Sequence, residues 1–150
     1  MHPPQSEKEE VSKLPPIDEI RINNNNHTFD IYSKGKLIKR KRVTSGRPGV
    51  IDPSIRDKGP TPPGKYYVDP KEISEVHYLD YIKRRLTGDW GHGRVPLHPG
   101  KGTDTFGRSG FFIHGGTKDG SKGCPDIGSY DEEFFEHLQR SDGLVPVYVE

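Results

Sequence analysis

Apolar and polar positions alternate with a period of two in EIRIN (19–23) and through HTFDIYS (27–33), KLIKRKRVT (36–44) follows as a third strand-like run, and the runs are joined by NNN and SKG. Such alternation broken by Asn- and Gly-rich turns predicts an opening meander of strands. KYYVD (65–69), RVPLH (94–98), GFFIH (110–114) and LVPVYVE (144–150) read as further strands, GFFIH as a buried one. Between them, residues 45–64 carry so many Pro and Gly that they form an ordered loop. KEISEVHYLDYIKRRL (71–86) has mixed spacings that suit a short helix, and SYDEEFFEHLQRSDG (129–143) gives a clearer one. There Ser129 or Asp131 can cap, acidic residues fill the first turn, Phe134, Phe135 and Leu138 form an apolar face, and Gly143 stops the helix. The expected fold is therefore mainly β, with long ordered loops and one or two short helices. Residues 1–17 read as a flexible tail and 18–150 as one domain.

Composition sharpens this picture. Hydrophobic residues make up 29% of the 150 positions and charged residues 30%, a lean core. With 18 Gly, 14 Pro and no alanine, long helices are disfavoured. A formal net charge of +1 offers no field for nucleic acid or an anionic membrane, and the basic run KGKLIKRKR (34–42) alternates as a strand with a solvated charged face does. No stretch approaches a membrane span, and MHPPQSEKEE at the start lacks the apolar core of a signal peptide, so entry to the secretory route by such a signal is not expected. A single cysteine excludes an intrachain disulfide.

That cysteine carries the chemical interest. In FFIHGGTKDGSKGCPDIG (111–128), Cys124 lies between Gly123 and Pro125, away from the apolar segments where packing thiols usually sit. At its reference pKa a thiol is only about 3% ionised at pH 7, so a nucleophilic cysteine needs a base or a positive charge beside it. His114 precedes it by ten positions, and four glycines in the intervening GGTKDGSKG allow the loop to fold back. A thiol activated in this way reacts with electrophiles at pH 6 faster than free cysteine does. Pro125 has no N–H, so donors for an oxyanion would come from the backbone of Cys124, Gly123 or Lys122.

Other readings of the same residues remain open. Cys124 can be a small packed hydrophobe, and His92, His98, His114 and Cys124 can be zinc ligands, although their spacing fits no common zinc pattern. Trp90, Tyr66 and Tyr67 can line a groove or fill the core, and His27, His77 and His137 fall in strand or helix patterns without an evident role.

The segment resembles the active-site motif of the L,D-transpeptidase (YkuD-like) superfamily: a His, a variable loop, then Ser-His-Gly-Cys with an Arg two positions on. It is closer still to type VI secretion L,D-transpeptidase-like effectors, through GRSGFFIHGG followed by Ser121, Gly123, Cys124 and Asp126. GPTPPGKYYV (59–68) and HTFDIYSKGKLIKRKRVTSG (27–46) extend the likeness over roughly residues 18–150. The resemblance implies an L,D-transpeptidase-like β-sandwich in which Cys124 is the nucleophile, His114 the general base, and Ser121 shapes the loop or orients the imidazole. Lys122 stands where the larger family has His and would lend charge to the thiolate or be solvated. Arg108 would hold a substrate carboxylate or be a surface charge, and Gly115, Asp126 and Trp90 would adjoin the substrate. Asp126 replaces the larger family's Arg. The implied chemistry is acyl transfer on peptidoglycan stem peptides through a thioester, released as a carboxypeptidase product, an exchanged D-amino acid or a crosslink. It requires no cofactor and no metal. An effector of this kind would be made in the cytoplasm, be delivered by a secretion system to the periplasm of a target bacterium, and be matched by an immunity protein. A non-catalytic peptidoglycan- or partner-binding module on the same fold is the alternative.

Overall fold

A computed structural model describes residues 15–75, 93–116 and 122–150. The expected meander is present as β1 (Glu19–Asn23), β2 (Thr28–Ser33) and β3 (Lys36–Arg42), each paired antiparallel with the next. The chain then runs through the 45–64 loop to β4 (Gly64–Val68), β5 (Ser74–Glu75), β6 (Gly93–Pro96), β7 (His98–Pro99) and β8 (Phe112–His114), and ends in helix α1 (Asp131–Leu138) and β9 (Val145–Val149). Six strands form one sheet in the order β3-β2-β1-β9-β4-β7, and β5-β6-β8 form a second.

The last strand is the keystone of the large sheet. β9 lies parallel to β1, with Ile20 opposite Val147, and antiparallel to β4, with Tyr66 opposite Val147. Alternation sends Ile20, Ile22, Phe29, Ile31, Tyr66, Val68, Val145, Val147 and Val149 inward, where they meet Val95 and Ile113 of the small sheet and Phe134, Phe135 and Leu138 of α1 in one buried cluster. Phe134 meets the Phe29 ring edge-on at 5.2 Å. β3, the outermost strand, keeps its basic residues exposed or half-buried, as its alternation predicts.

Several expectations need correction. The helix at 71–86 does not begin as expected: Pro70–Glu72 is a single 3-10 turn capped by Asp69, and Ser74–Glu75 pairs as β5. The rest of that run, from 76 on, lies outside the described residues. RVPLH breaks at Leu97, where the chain passes from pairing with β8 in the small sheet to pairing with β4 in the large one. The C-terminal helix is shorter than 129–143: a 3-10 turn at Gly128–Tyr130 precedes it, Tyr130 rather than Ser129 or Asp131 occupies the capping position, and the helix ends at Leu138. Residues 15–17, read as part of the tail, are docked. Ile17 is buried, its N–H and carbonyl both bond Ser141 Oγ, and the His137 ring meets the Pro15 carbonyl.

Candidate active site

β8 ends at His114, and residues 125–127 fold back alongside it. His114 N–H donates to the Pro125 carbonyl at 3.1 Å, Ile127 N–H donates to the His114 carbonyl at 2.8 Å, and Asp126 also pairs with Thr44. Three stretches distant in sequence therefore meet at the base of the Cys124 loop. The His114 ring places Nδ1 2.9 Å from the Gly115 carbonyl. A carbonyl accepts only, so Nδ1 donates here, and in the neutral ring Nε2 is the nitrogen with the lone pair.

Cys124 is half-buried, and its Sγ sits 3.7 Å from the Gly110 carbonyl. Burial pushes the thiol above its ordinary pKa, while the Phe112 backbone N–H and the positive charges of Arg94 and Arg108 act in the opposite direction. A resting thiolate, and with it faster alkylation than free cysteine at pH 6, is not what this environment favours. Ionisation of Cys124 here calls for a base at the moment of attack.

Arg108, in the surface-charge alternative a solvated residue, is buried. Its guanidinium donates to four carbonyls: Nη1 to Pro53 at 2.6 Å and Pro60 at 2.8 Å, Nη2 to Gly59 at 3.0 Å and Lys122 at 3.1 Å. A planar fork of donors is suited to this, and it pins the 45–64 loop to the cysteine loop. Desolvation lowers the Arg108 pKa, with Asp57 and Tyr66 opposing.

The next carbonyl, that of Gly123, is held by two hydroxyls. Thr61 Oγ1 makes a short contact to it and Ser45 Oγ a 3.0 Å bond, while Ser45 also accepts from Thr61 N–H at 2.7 Å. Gly123 has φ +115° and its Cα faces Arg108: a Cβ there would stand 2.2 Å from Nη2. Only glycine fits this position. In a trans peptide the N–H points opposite to the carbonyl it shares a plane with. Fixing the Lys122 and Gly123 carbonyls on Arg108 and Thr61 therefore turns the N–H groups of Gly123 and Cys124 to the other side of the loop.

The remaining candidates divide. The Lys122 side chain is exposed. Gly115 packs so tightly that a Cβ would stand 2.3 Å from the Gly128 carbonyl. Asp126 is buried, and its Oδ1 accepts from Gly128 N–H at 2.9 Å. Together with Thr44, Gly116, Ser129 and Tyr130 it lines a groove of about 480 Å³ beside the His114 strand. Tyr66 is a core residue whose hydroxyl donates to Pro62, and Tyr67 stacks on His98 at the surface. Trp90, His92, His77 and Ser121 lie outside the described residues. His98 pairs with Glu72 at 2.8 Å, and among the described residues no cluster of His, Cys, Asp and Glu could hold a metal ion.

Sequence reasoning missed Arg94, Ser45 and Thr61. Arg94 lies directly opposite His114 in the β6–β8 ladder. Only the pairing of two strands twenty residues apart reveals it, whereas Ser45 and Thr61 stood inside segments already singled out.

A family model described as the YkuD L,D-transpeptidase catalytic domain matches residues 17–149. No curated protein matches the chain. Among solved structures, an L,D-transpeptidase from Mycobacterium tuberculosis H37Rv is similar at a TM-score of 0.53 and 20% identity, over 90% of this chain and 58% of that one. A mutant Enterococcus faecium L,D-transpeptidase gives 0.56 and 18%, over 91% and 50%. L,D-transpeptidase 1 of Mycobacterium tuberculosis gives 0.51 and 17%, over 88% and 62%. The chain thus spans between half and two thirds of the length of these structures, and at such identity the likeness is one of fold.

Proposed function

The chain belongs to the YkuD L,D-transpeptidase catalytic domain family, and from that premise we propose that it is a cysteine acyltransferase acting on peptidoglycan stem peptides. The observation that carries the reading is the base of the Cys124 loop, where the backbone hydrogen bonds of His114 to 125–127 hold histidine and cysteine segments side by side. His114, with its proton on Nδ1 and its lone pair on Nε2, takes the Cys124 proton as sulfur attacks the carbonyl of the stem's third residue. The N–H groups of Gly123 and Cys124, turned away from Arg108 and Thr61, receive the oxyanion. The tetrahedral intermediate collapses to a thioester as the C–N bond to the terminal D-alanine breaks, and His114 returns the proton to the leaving amine. Water, a free D-amino acid or the amine of another stem then takes the acyl group.

In this reading the protein is an antibacterial effector, delivered by a secretion system to the periplasm of a target cell and neutralised in its producer by an immunity protein. The resemblance of GRSGFFIHGG and Ser121, Gly123, Cys124 and Asp126 to such effectors supports that role. A non-catalytic peptidoglycan-binding module is favoured by one observation, the half-buried Cys124 Sγ directed at the Gly110 carbonyl at 3.7 Å, in surroundings whose desolvation raises the thiol pKa.

The test is mass spectrometry of purified disaccharide tetrapeptides incubated with wild type and Cys124→Ala, with and without D-methionine. Loss or exchange of D-alanine by the wild type alone establishes the enzyme and its acceptor. If neither product nor an acyl mass on Cys124 forms, the binding module is the better description.

A further inference from the structure

The edge strand β3 turns two lysines toward the core side of the large sheet. Lys39 is opposite Ile31 and Lys41 opposite Phe29, both core residues of β2, and directly paired residues project to the same face. There they meet the segment that follows Cys124: the Lys39 and Lys41 ammonium groups lie 5.9 and 5.1 Å from the centroid of the Tyr130 ring. Lys39 is paired with Glu133 at 3.4 Å. Lys41 is half-buried, and beyond the ring its ammonium has no ion pair or hydrogen bond among the described residues.

Lys41, Tyr130 and Glu133 belong, with Thr44 and Ser129, to the wall of the groove of about 480 Å³. A volume of that size is in the range of small-ligand sites. Tyr130, only 7% exposed, carries a hydroxyl with no hydrogen-bond partner among the described residues. An ammonium without a counter-charge and an orphaned hydroxyl on one wall point to an anionic ligand.

The groove starts close to the nucleophile. Asp126, which also lines it, is two residues past Cys124, a stretch of at most about 7 Å of chain. It exchanges backbone hydrogen bonds with Thr44 at 2.7 and 3.0 Å and lies beside His114. When sulfur attacks the carbonyl of the stem's third residue, the side chain of that residue has a similar distance to span. In its diamino-diacid form, diaminopimelate, four carbons lead to a terminal carboxyl, about 6 Å when extended. The last of these carbons also bears an ammonium. The groove offers a complement to each charge: Lys41 for the carboxylate and Glu133, whose Oε2 has no partner among the described residues, for the ammonium. Lysine, the other diamino acid that can occupy this position, brings the ammonium alone and leaves Lys41 without an anion.

Resting on the acyl-transfer reading, we propose that this groove is the pocket for the side chain of the stem's third residue, and that Lys41, held over Tyr130, binds its terminal carboxylate, so that the protein selects diaminopimelate over lysine at that position.

The test reads preference rather than affinity alone. Binding of three disaccharide tetrapeptides to full-length Cys124→Ala is measured by calorimetry: one with diaminopimelate as third residue, one with that side chain amidated at its carboxyl, and one with lysine. The same series is run on Cys124→Ala carrying Lys41→Gln or Lys41→Arg, with thermal melts confirming each fold. Diaminopimelate should bind at least about tenfold tighter than the other two, as a charge-assisted contact provides. Lys41→Gln should abolish this preference by weakening the diaminopimelate peptide alone, and Lys41→Arg should keep most of it. Equal affinity for all three peptides, a preference that survives Lys41→Gln, or no binding overturns the assignment. Turnover of the diaminopimelate peptide by protein with Cys124 intact is followed alongside. A Lys41-dependent preference without turnover upholds the pocket and sinks the acyl-transfer reading; turnover without the preference sinks the pocket and leaves that reading standing.

Discussion

The six-stranded sheet and the junction beneath Cys124 are held together by different means. In the sheet, backbone ladders satisfy the polar groups and interchangeable aliphatic side chains fill one core. At the junction, residues 45–64 and 122–124 have no ladder between them, and side-chain donors of Arg108, Ser45 and Thr61 satisfy the carbonyls instead. The sheet tolerates conservative change because many residues share each task. At the junction a few side chains hold several backbone groups at once, and these fix the peptide planes next to the nucleophile.

The largest effect expected on stability lies on the sheet side. Phe134→Ala removes a wholly buried ring packed on Phe29 and should cost about 3–5 kcal/mol in urea unfolding, with turnover per folded molecule nearly unchanged. Arg108→Met should cost about 2–4 kcal/mol, because buried carbonyls lose their donors, and it should also abolish most turnover. Arg108→Lys should recover little, since one ammonium cannot span four carbonyls. If Arg108→Met lowered stability but left kcat intact, the junction would be a structural brace and nothing more.

Gly123→Ala should be milder for folding and worse for function, about 1–3 kcal/mol from strain at φ +115° and contact with Arg108, with a far larger fall in kcat. Thr61→Val, which keeps shape and removes one of two hydroxyls on the Gly123 carbonyl, should cost about 1–2 kcal/mol and a few-fold in kcat. Equal, purely thermodynamic effects of both would erase the contrast between the regions.

This contrast also explains what could be read from the sequence. Strand-like runs set off by turn residues located β1, β2, β3, β4 and β9 to within a residue or two at each end, because such punctuation is local in the chain. His114 and Cys124 could be singled out because a loop rich in glycine joins them. The task of Arg108 could not, since its partners at 53, 59, 60 and 122 come from segments whose meeting is decided by tertiary folding. Arg94 was hidden for the same reason: the β6–β8 register, and no local pattern, puts it beside His114. At 70–75, Pro70 and the pairing of β5 with β6 override a weak helical spacing.

The finest comparison is in pH. His137, on α1, is buried against the Pro15 carbonyl; burial lowers its pKa, with Pro15 and Glu133 opposing and Lys39 and Arg140 assisting. A histidine depressed in the folded state contributes stability above its unfolded pKa near 6.5, and that contribution is lost as pH falls toward the folded value. Cys124 is raised in the folded state, so its contribution is present below the unfolded thiol pKa near 8.5 and is lost as pH rises through the folded value. The two regions should therefore limit stability at opposite ends of the pH range. Urea midpoints of wild type, His137→Gln and Cys124→Ala between pH 5 and 10 check this: the first substitution should flatten the acid limb alone, the second the alkaline limb alone. A single limb flattened by both would mean that the titrations belong to one coupled region rather than two.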